Sequence, residues 1–136
     1  MISHARLYYL HATLSEWTKS KDLSSFDPRA LAAYESAFTD KTIAASTADY
    51  RADWTIDRFQ DQTDLNRGLR IASPTLVLWG SDEFPDDTQV VSALQRIAPD
   101  LTACPLDCGH FSPEEAAGPV LHALRTFFAR SVIPDV

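Results

Sequence analysis

Pro74-Thr75-Leu76-Val77-Leu78-Trp79-Gly80 is a short, continuous apolar run held between a proline and a glycine. It reads as a parallel strand buried on both faces. After it comes an acidic loop, Asp82 to Asp87, and then a helix marked by Val90, Val91, Leu94, Ile97 and Ala98. Pro99 closes that helix, and Leu101 to Leu106 reads as a second strand. Pro119 opens a last helix whose apolar face is Val120, Leu121, Leu124, Phe127 and Phe128. The order strand, helix, strand, helix is the α/β signature, and the crossover is long enough for parallel pairing.

Upstream of this run, residues 1–70 read as helices only. Ile2, Leu7, Leu10, Leu14 and Trp17 recur at helical spacing. Asp27 followed by Pro28 supplies an N-cap and a proline at the first helical position. Leu31, Tyr34 and Phe38 then share a face. Asp40 is placed to cap a third helix carrying Ile43, Ala44, Thr47 and Tyr50, and Trp54, Ile56 and Phe59 extend the apolar character. A polar run from Gln60 to Arg70 follows. The division falls near residue 70, with helices before it and the α/β segment, 71–136, after it.

Two parallel strands are too few for a stable sheet, because both faces and both edges need cover. The chain therefore reads as an incomplete fold. A small α+β domain that dimerises to cover its edge is the alternative.

Composition narrows the function. A hydrophobic fraction of 45% in 136 residues argues for a folded chain over a disordered one. The net charge is −7 and is unevenly spread: residues 1–70 hold nine Lys/Arg against ten Asp/Glu, and residues 71–136 hold three against nine. Such a chain lacks the cationic surface that nucleic acid or anionic lipid requires. No apolar run approaches the roughly 20 residues that span a bilayer, and no secretory signal is evident. Cys104 and Cys108 would lie roughly 13 Å apart on an extended strand, too far for a disulfide. Without a second pair they form no zinc site. Reduced thiols in a cytoplasmic protein, with no metal, are the expectation.

A resemblance rests on specific residues. Pro74–Gly80 together with Cys108-Gly109-His110-Phe111-Ser112-Pro113-Glu114-Glu115 resemble the last two strands of α/β-hydrolases, with a catalytic histidine in the loop after the final strand. Asp27-Pro28-Arg29, Asp49-Tyr50-Arg51-Ala52 and Gly109-His110-Phe111-x-Pro113-Glu114-Glu115 further resemble the haloacetate (fluoroacetate) dehalogenase branch. That resemblance implies a partial α/β-hydrolase fold: residues 1–70 as the later part of a helical cap, and residues 71–136 as the end of the core. It also implies the chemistry. An aspartate attacks the carbon bearing the halogen, and a histidine then deprotonates the water that hydrolyses the resulting ester. No organic cofactor or metal is needed. The substrate would be a halogenated short-chain acid. The nucleophile elbow is missing, since Gly68, Gly80, Gly109 and Gly118 all lie in other contexts. The arginines that bind the substrate carboxylate and the His-Trp halide pair are missing too.

On that resemblance His110 is the general base, since an imidazole can take up and return a proton. In many α/β-hydrolases the triad acid stands three residues after the strand-ending glycine, which here is Glu83, with Asp82 beside it. In the dehalogenase branch the acid comes instead from the turn before the cap. A solvated acidic loop explains both residues equally well. Tyr50 is placed as a hydrogen-bond donor to the departing halide, with a core aromatic as its other reading. Trp17, Trp54 and Trp79 read as core, and His4, His11 and His122 as structural or exposed. Glu114 and Glu115 read as structural, in a capping box with Ser112, and Cys108 as small apolar packing rather than a nucleophile. Competing functions are an epoxide-hydrolase-like or esterase-like enzyme of the same fold, or an inactive half-domain serving at most as an interaction module. The unpaired strand edge implies self-association or a missing N-terminal half.

Overall fold

A computed structural model describes residues 5–83 and 87–130. Ile2, His4 and part of the acidic loop lie outside the described residues. Helix α1 (Arg6–Trp17) is followed by α2 (Pro28–Ala37). Helix α3 (Asp40–Ala52), a π-helical turn (Asp53–Asp57) and α4 (Arg58–Asn66) then run on from one another. The α/β part is β1 (Thr75–Gly80), α5 (Asp87–Ile97), β2 (Leu101–Leu106), α6 (Ser112–Glu115) and α7 (Ala117–Arg130).

Local chemistry sets most of these boundaries. The Asp27 carboxylate accepts from the Arg29 amide, with Pro28 in the first turn, where its missing N–H costs nothing. Thr39, not Asp40, caps α3: Thr39 and Thr42 exchange side-chain-to-backbone hydrogen bonds in a capping box. Asp40 instead occupies the first turn, where its charge favours the helix dipole. The polar run from Gln60 falls partly inside α4, which ends at a Schellman motif. Gly68 takes a positive φ of 73°, its amide bonds to the Leu65 carbonyl, and the Leu69 amide reaches back to Asp64. Helix α7 begins at Ala117, two residues before Pro119, which is tolerated inside the first turn.

The two strands pair in parallel, from Thr75 opposite Leu101 to Gly80 opposite Leu106. Among the described residues the sheet has these two strands only. Pro105 in β2 has no N–H to offer a further neighbour, which suits an edge strand. The apolar run does form a strand, but Thr75 to Leu78 are only half-buried, and burial is complete at Trp79 and Gly80. The reason is the shortage of covering layers. The buried apolar side chains are few: Leu14, Phe26, Trp79, Ala98, Leu106 and Cys108. Four of these six lie toward the C-terminal ends of the strands or in the segments packed there, so the best-ordered packing underlies one edge of the sheet.

That edge is also where the helical part joins. Phe26 packs edge-on against Tyr34 of α2 and against Phe111, with ring centroids 6.1 and 5.5 Å apart. His11 of α1 and Glu35 of α2 are bonded at 2.7 Å. No helix among the described residues is long and apolar enough to cross a membrane.

Candidate active site

The chain leaves β1 and β2 at the same edge, through residues 81–83 and 107–111. Two glycines let these segments touch. A Cβ on Gly80 would sit 1.9 Å from the Gly109 carbonyl oxygen, and one on Gly109 would sit 2.5 Å from the Lys19 nitrogen. Only hydrogen fits at either place. The Ser81 amide donates to Leu106 at 2.8 Å, carrying the parallel ladder one step beyond β1.

This approach sets Glu83 against His110. The Glu83 Oε1 lies 2.7 Å from His110 Nδ1, and both side chains are partly exposed. With Glu83 ionised, Nδ1–H donates to the carboxylate, which leaves the Nε2 lone pair free to accept a proton. The imidazole is walled by the edge of Trp17, centroids 4.8 Å apart, and by Phe111 at 5.1 Å. The His110 amide donates to the Trp17 carbonyl at 2.9 Å. A hollow of about 330 Å³ opens over the pair, lined by Glu16, Trp17, Thr18, Lys21, Asp82, Glu83, Gly109 and His110. A base with an ordered acid partner at the mouth of a hollow can deprotonate a bound water or alcohol.

Asp82 and Glu83, adjacent in the acidic loop, are thus separated by the structure. Glu83 meets His110, whereas Asp82 faces the Lys19 ammonium at 3.4 Å. Lys19 also bonds to Asp107, which, with Asp82, holds its ammonium above the ordinary lysine range against the opposing effect of burial. Tyr50 stands apart from this pair: it lies on α3, exposed, and lines a separate open hollow with Trp54 and Ile56.

The expectation for the tryptophans divides. Trp79 is core, 7% exposed, but Trp17 is 46% exposed and borders His110, and Trp54 is 71% exposed. Trp17 packs its ring against His110 beside the open hollow, and Trp54 lines the open hollow it shares with Tyr50. Glu114 and Glu115 are structural without a capping box, since Phe111 rather than Ser112 is the N-cap and its side chain makes no cap bond. Glu115 instead accepts from the backbone amides of Lys19, Gly109 and Phe111, at 2.7, 3.0 and 3.0 Å. Sequence reading missed its reach to Lys19 and the Trp17 wall, because both join segments more than ninety positions apart and neither belongs to a local motif. Cys108 is buried at the strand end, and burial, followed by the nearby Glu115 and Asp107, pushes its thiol pKa up. That disfavours the thiolate a nucleophile needs. His11 is held by Glu35, and His122 borders a hollow beside α7 with Leu76 and Leu106.

No family model matches the chain. Solved structures do. A protein of Nostoc sp. PCC 7120, provisionally described as an α/β hydrolase, superposes with a TM-score of 0.84 at 37% identity, over 93% of this chain and 43% of its own. A provisional acyltransferase from Salmonella enterica gives 0.83 at 28% identity, over 98% and 43%. A provisional epoxide hydrolase from Pseudomonas aeruginosa gives 0.82 at 27%, over 95% and 43%. The chain spans less than half the length of these structures. Its helices and two parallel strands form part of an α/β-hydrolase fold.

Proposed function

We propose that this partial α/β-hydrolase fold supplies the base and its acid partner to a hydrolase of the haloacetate dehalogenase type. In this reading His110 Nε2 removes a proton from water, and the hydroxide attacks the carbonyl carbon of an ester formed between an aspartate and the dehalogenated acid. Glu83 holds the Nδ1–H tautomer and stabilises the imidazolium that results. The ester C–O bond then breaks, the imidazolium returns its proton to the departing alkoxide, the hydroxy acid leaves, and the aspartate and the neutral imidazole are regenerated. The aspartate belongs to the part of the fold outside this sequence. On the resemblance Tyr50 would donate a hydrogen bond to the departing halide, although in this chain it lines a hollow separate from that of His110. The single observation that carries the base and its acid is the 2.7 Å contact of Glu83 with His110 beside an open hollow; the haloacetate substrate rests on the resemblance of Asp49–Ala52 and Gly109–Glu115.

A second reading has its own support. In the resemblance the dehalogenase branch draws its acid from the turn before the cap, whereas Glu83 follows β1, as in many other α/β-hydrolases. An epoxide-hydrolase-like or esterase-like activity fits that placement, and one neighbour is described as an epoxide hydrolase. The missing nucleophile sets the esterase apart, since serine implies an acyl intermediate, whereas an aspartate forms an alkyl ester with a haloacetate or an epoxide alike, and those two are told apart by substrate.

The test is to complete the fold by joining to this chain the N-terminal part of the Nostoc structure, then to assay three substrates in parallel. Halide release from haloacetates supports the first reading. Turnover of only an epoxide or an aryl ester supports the second. In either case His110→Ala should lower kcat by about 10²–10⁴-fold, the range of general-base assistance. Unaltered turnover in that variant would remove His110 from the mechanism.

A further inference from the structure

We infer that Glu115 is a positioning residue for the base: its carboxylate fastens the His110 loop to the turn that follows α1 and thereby fixes the plane of the imidazole. Three successive amides of the loop are tied. Gly109 donates to Glu115 Oε2 and Phe111 to Oε1, both at 3.0 Å, while the His110 amide between them donates to the Trp17 carbonyl at 2.9 Å. The same Oε2 takes the Lys19 amide at 2.7 Å. One carboxylate therefore bridges the backbone on either side of His110 to the chain two residues beyond Trp17, whose ring forms a wall of the imidazole. Hydrogen bonds to an ionised acceptor are roughly twice as strong as neutral ones. Contact between Gly109 and the Lys19 backbone leaves no slack, because a Cβ would not fit there. Neither Glu83 nor the loop's own sequence accounts for this register; without Glu115 the Gly109 and Phe111 amides lose their acceptor, and the loop can rotate His110 away from Glu83.

Given His110 as the base, the effect should be read on the imidazole itself. The full chain, labelled with nitrogen-15, is expected to show its neutral His110 in a single Nδ1–H tautomer. Glu115→Gln keeps one oxygen and turns an NH2 toward a backbone donor, so at least one amide is stranded. The single-tautomer signature is expected to be lost in that variant, while circular dichroism shows the fold retained. Glu114→Gln is the control, since Glu114 bonds the Tyr34 hydroxyl on α2 and should leave the tautomer unchanged. A folded Glu115→Gln chain with the tautomer intact would overturn the positioning role. Should that variant fail to fold, hydrogen exchange on the unaltered chain decides. Protection of the Lys19, Gly109 and Phe111 amides as one opening unit supports the clamp, and exchange at unstructured rates overturns it. A wild-type chain with mixed tautomers would instead count against the Glu83–His110 pairing, so failure of the clamp and failure of the base assignment give different results.

Discussion

At Gly80 the fold depends on one missing methyl group. Its Cα faces the carbonyls of Cys108 and Gly109, both backbone atoms that no rotamer change can move aside. Gly80→Ala is therefore expected to separate the 81–83 and 107–111 segments and to destabilise the chain by about 1–3 kcal/mol or more, the range of core overpacking. Gly118→Ala is the matched control, because nothing lies within 4 Å of its Cβ position. Urea midpoints of the two variants check this, and equal midpoints would show that the strand ends yield. Gly80 was legible as a strand terminus and His110 as a loop histidine, since each carries a local signature. That Glu83 rather than Asp82 reaches His110 was legible only through the resemblance, which sets the acid three residues after Gly80, and not from the two residues themselves. Two adjacent acids in a loop are equivalent until the strand register and the Lys19 ion pair tell them apart.

Among the elements, the helical boundaries respond to charge. Asp27 is held below the ordinary carboxylate range by its side-chain bond to Arg29 and by the Arg29 amide. Asp22 is held low by the Ser24 hydroxyl and amide, with Ser20 contributing. For a carboxyl whose folded pKa is depressed, the stabilisation is fully present above its unfolded value, roughly 3.9. It is lost as pH falls from there through the lower folded value. The turn before α2 and its first helical turn should therefore weaken below about pH 4. Asp27→Asn keeps a cap but not a charge, so its urea midpoint should vary less than the wild type between pH 7 and pH 3. An unchanged acid limb would show that Asp27 plays no part. The cap at Asp27-Pro28 was written in the sequence, as was the strand–helix–strand–helix order. The cap at Thr39 was hidden, because Thr39 and Asp40 are both competent N-caps and only the backbone geometry chooses between them. The π-helical turn at Asp53–Asp57 had no sequence mark either, since no glycine or proline interrupts the helical run there.

Taken whole, the molecule exposes what a larger fold would cover. Tyr50, Trp54, Ile56 and Phe59 on the α3–α4 stretch are each more than 60% exposed. Leu121 and Phe128 of α7 are exposed as well, beside a sheet that has two strands among the described residues. Open strand edges and apolar patches of this kind favour association. Light scattering on the purified chain is expected to report oligomers or aggregates, and addition of the N-terminal part of the fold should reduce them. A monodisperse monomer that melts cooperatively would sink this expectation. The incompleteness itself was legible, because a wholly apolar strand needs neighbours. The join between the helical and α/β parts was not, because it runs through backbone hydrogen bonds and aromatic edges. Its placement bears on how such genes can be cut and respliced. A crossover near residue 70, where composition changes, would part Glu115 from the Lys19 amide and His110 from the Trp17 carbonyl. A crossover upstream of α1 would carry His110, Glu83 and the supporting turn together as one heritable cassette.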